Sequence, residues 1–195
     1  MSKDDFNTPL PSTEQLEQEL KQEESKKRYH KTIRTTVYTL LVVAAVAVLI
    51  VTLLFPVMEV SSNSMAPTVN DGDILVLYKT DRYETGDLCA FYWQNKLLIK
   101  RIIAGPGDFV SMDAAGTVSV NGAVLSEPYI VNKAYGECDL TFPYQVPDGK
   151  YFVMGDERAI SIDSRSSVIG CVGQDQFVGK AIVRIWPIFS FKWFG

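Results

Sequence analysis

Between Arg34 and Glu59 the chain carries no charged residue, and this stretch constrains the fold more than any other feature. Its centre, Val37–Val57, reads VYTLLVVAAVAVLIVTLLFPV. As a helix, 21 residues reach roughly 30 Å, the thickness of a bilayer's hydrocarbon core. A helix buried in a soluble core is rarely apolar on every face over that length. The pattern therefore predicts one transmembrane helix over residues 36–57, with Pro56 at the exit end, where the helix stops anyway. A cleavable signal peptide is the rival, but it has a short charged leader and an apolar core of about 7–15 residues. An uncleaved signal anchor fits better.

Charge sets the direction of the span. Lys26, Lys27, Arg28, Lys31 and Arg34 precede it with no acid among them, and Glu59, Asp71 and Asp73 follow before any lysine. Positive residues stay on the cytoplasmic side. Residues 1–35 are thus expected as a cytoplasmic tail, and residues 58–195 as a domain outside the cell membrane.

Composition removes several functions. A net charge of -4 argues against a nucleic-acid partner, because neutralising phosphates needs a clustered basic surface. Cys89, Cys138 and Cys171 form no CxxC pair, and His30 is the sole histidine, so no metal site is expected. Whether two of the cysteines form a disulfide is left open. No other cofactor is indicated.

Beyond the span, short β-rich runs dominate: DILVLY from Asp73, LCAFYW from Leu88, KLLIKRII from Lys96, and later YFVM from Tyr151 and VGKAIVRIW from Val178. Asn121-Gly122 is a two-residue hairpin signal, and Gly105-Pro106-Gly107-Asp108 and Pro147-Asp148-Gly149 read as loops. The expectation is a mainly β protein: an antiparallel barrel or sandwich with a small β insertion at about 113–149, preceded by the one helix. The aromatic tail Trp186–Gly195 suits either an edge of the β body or a membrane interface.

With His30 on the cytoplasmic side, the outer domain has no histidine for a Ser-His-Asp or Cys-His arrangement. A serine can instead be activated by a neutral lysine. Bringing a lysine from about 10.4 to about 8 costs on the order of 3 kcal/mol, which burial among apolar groups can impose. Lys100 lies mid-strand between Leu97-Leu98-Ile99 and Ile102-Ile103. The serines Ser61, Ser62 and Ser64 cluster just past the span, in the small, polar stretch SSNSMAPT.

Three segments around these residues carry a resemblance. SNSMAPT from Ser62, with DGDILV from Asp71, resembles the sequence around the nucleophile of bacterial type I signal peptidases. KRIIAGPGD from Lys100 is similar to that family's lysine segment, and GDERAISIDSR from Gly155 to its third segment, GDxRxxSxDSR. Asn63 stands where glycine or aspartate is frequent, and Ala159-Ile160 where polar residues are common. One span rather than two resembles the Gram-positive form.

The resemblance implies a serine endopeptidase. Ser64 would be the nucleophile and Lys100 the general base. The Ser64 N–H and the Ser62 hydroxyl would hold the oxyanion, and Ser161 would orient the lysine. Arg101 with Asp156, and Asp163 with Arg165, would be structural ion pairs. Its partners would be the signal peptides of exported preproteins, cut after small residues in an A-x-A pattern, the lipid bilayer, and a nearby secretion translocon. Two alternatives stand beside it. A Ser/Lys self-cleaving repressor would have a helix-turn-helix and no span. An inactive, membrane-tethered β domain binding exported proteins would lack the serine or the lysine.

Overall fold

The computed structural model describes residues 12–194. Of the tail expected over residues 1–35, residues 1–11 lie outside the described residues. The helix α1 runs Thr13–Leu54, 42 residues without a break. Its first half is rich in Glu, Gln, Lys and Leu, all good helix formers. Lys26 and Glu23 pair at 3.3 Å, and the hydroxyls of Thr32, Thr35 and Thr39 each donate to the carbonyl four residues back at 2.9 Å. The apolar side chains from Val37 to Leu54 are exposed, and the helix is long and apolar enough to cross a membrane.

The helix ends three residues before the expected limit of the span. Pro56 lacks the N–H a helix would use, and the chain beyond it is captured by a strand. Leu54 O accepts from Lys79 N at 3.0 Å and Pro56 O from Leu77 N at 2.8 Å. Val57 opens β1 (Val57–Glu59), paired antiparallel with β2 (Ile74–Tyr78).

The rest is antiparallel β. Further strands are β3 (Leu88–Trp93), β4 (Lys96–Ala104), β5 (Phe109–Met112), β6 (Val118–Val120), β7 (Ala123–Val124), β8 (Tyr144–Gln145), β9 (Lys150–Met154), β10 (Val172–Gly173), β11 (Phe177–Trp186) and β12 (Lys192–Trp193). One sheet has the order β1-β2-β11-β3-β4-β9-β10, with β12 on β11; the other has β7-β6-β5-β8. The mainly β class and its antiparallel pairing are as expected. The second sheet begins at Phe109, before the insertion read from the sequence, because Val110 and Val118 pack with Ile103, Ala104, Phe152 and Met154 of the larger sheet in one core. Between Val124 and Tyr144 the chain forms no strand. Asn121 and Gly122, at φ 53° and 82°, turn β6 into β7. A second such turn, Gln94-Asn95 at φ 44° and 62°, joins β3 to β4, where neither residue is glycine.

A separate core lies under β1, β2 and the start of β4: Met58, Val60, Met65, Leu75, Leu77, Ile99 and Ala181. In β2, Leu75 and Leu77 are fully buried while their neighbours face outward, the alternation of a half-buried strand. Most of the aromatic tail stays outside. Trp193 sits on the edge strand β12, and Trp186, Ile188, Phe189 and Phe191 are exposed with it. Phe194 alone of the tail packs against this core.

One ion pair fastens the segment between β1 and β2 to β11. Arg184 Nη1 donates to Asp73 Oδ2 at 2.7 Å, its Nε donates to Ser190 O at 2.7 Å, and Asp73 Oδ2 also accepts Asn70 N at 2.9 Å. Both side chains are nearly buried. Removing the carboxylate leaves a buried guanidinium without its counter-charge. Asp73→Ala is expected to lower unfolding free energy by about 3–5 kcal/mol, as read by urea denaturation.

Candidate active site

Strand β4 enters the larger sheet at Lys96 and pairs with β3 along Lys96–Arg101. On its other side β9 begins only at Arg101. Lys96–Lys100 therefore line a cleft with one strand edge open. The opposite wall is β1 and the residues after it, Met58, Val60, Ser61, Ser62 and Ser64; β1 is itself the end strand of its sheet. The cleft encloses about 360 Å³, and most of its lining is apolar, with Leu97, Leu98, Ile99, Trp93 and Ile162 among it.

At one end of this cleft Lys100 meets the serines. Its Nζ lies 2.7 Å from Ser64 Oγ and 3.0 Å from Ser161 Oγ, and Ser62 Oγ lies 3.1 Å from Ser64 Oγ. Lys100 is only 4% exposed and Ser64 is partly open to the cleft. Burial disfavours the ammonium and lowers the Lys100 pKa from 10.5 to about 8. Asp163 and Asp156 oppose that shift by attraction, and Arg165 adds to it by repulsion. A neutral amine with a free lone pair is then accessible near neutral pH, pointed at a hydroxyl.

The segment 155–165 holds this arrangement from below. Gly155 N donates to Asp163 Oδ2 at 3.0 Å, and Glu157 N donates to Ser64 O at 3.1 Å. A Cβ on Gly155 would lie 2.5 Å from Ser64 O and collide with the Ser161 side chain, so this position needs glycine. Arg165 is fully buried. It grips Asp163 through Nε at 2.8 Å and Nη2 at 2.9 Å, and Nη2 also donates to the carbonyls of Arg158 at 3.0 Å and Ser161 at 3.2 Å. The pair thus fixes the backbone that carries Ser161.

A second buried pair braces the far side of β4. Arg101 donates to Asp156 through Nε at 2.8 Å and Nη2 at 2.6 Å, a two-bond fork. The guanidinium lies 3.8 Å from the Tyr129 ring centroid. Beside it, Arg158 pairs with Glu127, both side chains buried. The sequence reading gave no role to Glu127, Tyr129, Arg158 or Gly155. Glu127 and Tyr129 lie in the strandless segment, where nothing local marks them. Arg158 and Gly155 stand inside the third segment, where a charge that must be buried and a glycine are the signals that could have found them.

Every residue expected at the site is brought together: Ser62, Ser64, Lys100 and Ser161 around one point, and the pairs Arg101–Asp156 and Asp163–Arg165 around them. The nearest thiol, Cys89, is opposite Lys100 on β3, fully buried, and pushed up by that burial, so it offers no competing nucleophile. All three cysteines are free thiols. The arrangement can deprotonate a serine with a lysine and stabilise an anion beside Ser62 and Ser64.

Residues 33–186 match the family model described as signal peptidase, peptidase S26. The chain is 37% identical over 164 residues to signal peptidase I of Bacillus licheniformis, covering 77% of this chain and 87% of that one. It is 36% identical over 154 residues to signal peptidase IB of Staphylococcus aureus strain MRSA252, covering 69% and 79%. A crystal structure of a signal peptidase I from Enterococcus faecalis V583 superposes with a TM-score of 0.45 at 31% identity, covering 51% of this chain and 96% of that one.

The Lys100 side chain should titrate near pH 8 when followed by NMR at its 13Cε, against the 10.5 of an exposed lysine. A midpoint above 10 would mean that the amine is solvated and cannot serve as a base at neutral pH.

Proposed function

Because this chain belongs to the signal peptidase family, peptidase S26, we propose that Ser64 is the nucleophile and Lys100 the general base with which it removes signal peptides. It is a membrane-anchored serine endopeptidase, and its substrates are preproteins that carry signal peptides. The observation behind the residue assignment is the 2.7 Å approach of Lys100 Nζ to Ser64 Oγ, with Nζ buried and held from behind by Ser161. An inactive tethered domain is not favoured.

In this reading the preprotein segment lies extended in the cleft, between the open edges of β1 and β4, and adds a strand between them. Neutral Lys100 takes the Ser64 proton as Oγ attacks the scissile carbonyl. The oxyanion is held by the Ser64 N–H and the Ser62 hydroxyl. As the tetrahedral intermediate collapses, the lysine gives its proton to the departing amine. Water then attacks the acyl ester, again through Lys100, and releases the signal peptide's new carboxyl end. The apolar walls leave room for small side chains before the cut, which suits an A-x-A pattern.

Charge flanking the span supports one crossing, with the N-terminus cytoplasmic and residues 58–195 outside. Signal peptides lie in the same bilayer, so a tether raises the effective concentration of enzyme against substrate. Preproteins arrive through the secretion translocon, and the reading puts the protein close to it. Lipid would cover the apolar half of α1.

With full-length protein in detergent and a preprotein with an Ala-x-Ala site, Ser64→Ala and Lys100→Ala are each expected to lower kcat by about 10⁴-fold or more. Ser62→Ala, losing one oxyanion donor, is expected to lower it by about 10²–10³-fold. The wild-type kcat/KM should climb about tenfold per pH unit up to about 8 and then level, because only the neutral amine accepts the proton. Cleavage by the Lys100→Ala protein at an undiminished rate would remove the lysine from the mechanism.

Orientation has its own test. Protease added to intact cells should digest the β domain and leave a protected N-terminal fragment ending near Leu54. Full protection of the β domain would reverse the topology.

A further inference from the structure

Of the residues that line the cleft, two carry charge, and both are cations: Lys100 and Lys96. Lys100 is taken up by Ser64 and Ser161. Lys96 has no such partner. It is exposed, and among the described residues it forms no salt bridge. Nor does any Asp or Glu line the cleft beside it.

Its place is fixed by the fold. Lys96 pairs with Trp93 across the Gln94-Asn95 turn, and both turn residues hold left-handed backbone angles. The Trp93 indole Nε1 donates to the carbonyl of Val168, another lining residue, at 3.2 Å. This bond clasps the hairpin tip to the loop that follows Ser161. The tip cannot swing away without losing it. Lys96 is therefore held over the cleft end opposite the serine.

Distance along β4 then names the substrate position. Lys96 and Lys100 are four residues apart and share one face of the strand. At about 3.3 Å per residue they stand roughly 13 Å apart, the span of four residues of an extended peptide. The residue before the scissile bond sits at Ser64 and Lys100. Signal peptides are what the substrates have in common, so the shaped cleft holds the residues before the cut rather than after it. Four residues further back is the fifth residue before the scissile bond.

We propose that Lys96 is a specificity-determining residue that reads charge at the fifth substrate position before the cleavage site, favouring an acidic side chain there and disfavouring a basic one. The proposal rests on the reading of Ser64 and Lys100 as the reacting pair. An exposed charge pair is weak, so acid over base should amount to about two- to fivefold at low salt. The gain should appear in KM with kcat little changed, because the contact is remote from the reacting carbonyl and alike in ground and transition states.

The test uses full-length protein in an uncharged detergent and three peptides identical except for Glu, Gln or Lys at that position. Wild type should rank them Glu, Gln, Lys in kcat/KM, with the spread shrinking at high salt. Lys96→Glu should invert the order and Lys96→Gln should flatten it, each read as the ratio of the Glu to the Lys peptide within one protein. The same ranking is expected in the affinities of the three peptides for the Ser64→Ala protein, which reads Lys96 without turnover. An order unchanged by Lys96→Glu, in cleavage or in affinity, would overturn the proposal. So would a charge preference that tracks a residue after the cut. Loss of the Gln-peptide cleavage by Lys100→Ala, with the charge order intact in the binding experiment, keeps the two readings separate.

Discussion

The structure around the site depends on one energetic imposition: the Lys100 ammonium is deprived of water. An exposed lysine is almost fully charged at neutral pH and has no lone pair to offer. Burying Nζ lowers its pKa to about 8 and makes the free amine available. The same burial would be ruinous for a lysine without polar company, since an amine with unmet hydrogen bonds is costly inside a protein. Ser64 and Ser161 provide that company at 2.7 Å and 3.0 Å. Neither hydroxyl carries charge, so neither restores the ammonium as a carboxylate in their place would. Asp163 and Asp156 do pull the pKa back up, but their own partners, Arg165 and Arg101, engage them directly.

The arginines explain why so many charges are sunk under the site. Arg101, Arg158 and Arg165 are all buried, each paired with a carboxylate. Such pairs add little net stability, because desolvation offsets most of their attraction. What they contribute is placement. Arg165 donates to the carbonyls of Arg158 and Ser161 as well as to Asp163, so a turn with no helix or strand of its own is fixed by one side chain. Asp163 in turn accepts the N–H of Gly155, and Gly155 packs against Ser64 O. A displacement anywhere in this chain of contacts reaches the Nζ–Oγ distance, and about 1 Å of misplacement can cost a hundredfold in rate.

Much of this was legible in the sequence, and the limits are physical. The apolar stretch and the β-rich runs rest on local signals, whereas the roles of the serines and the ion pairs in the three segments came from their resemblance to a family; the structure brings those residues to one point. Contacts made across long separations were not legible. Glu127 meets Arg158 and Tyr129 covers Arg101 from a segment with no periodicity to read. Pairing Gln94-Asn95 into a tight turn needed two non-glycine residues in left-handed conformation, which Asn tolerates but Gln rarely adopts. The helix stops at Leu54, where Lys79 and Leu77, far along the chain, take the carbonyls of Leu54 and Pro56. The second sheet starts early for a similar reason: Val110 and Val118 join a core whose other half comes from β4 and β9.

The incomplete pairing of β4 connects these levels. A strand edge left open usually invites association with other chains. Here the opening is confined to Lys96–Lys100, because β9 covers the strand from Arg101 onward. Its outer end carries the exposed Lys96, and a charged lysine at an edge discourages pairing with another folded sheet. Only a single extended segment, narrow enough to pass between β1 and β4, can reach the exposed N–H and C=O groups. In the proposed reading, the feature that would otherwise be a liability becomes the filter. A folded chain presents no free strand to enter the cleft, whereas the stretch between a signal peptide and its mature protein can be extended. Selection for that stretch then comes first from backbone access, next from the apolar walls near Ser64, and last from charge at the rim.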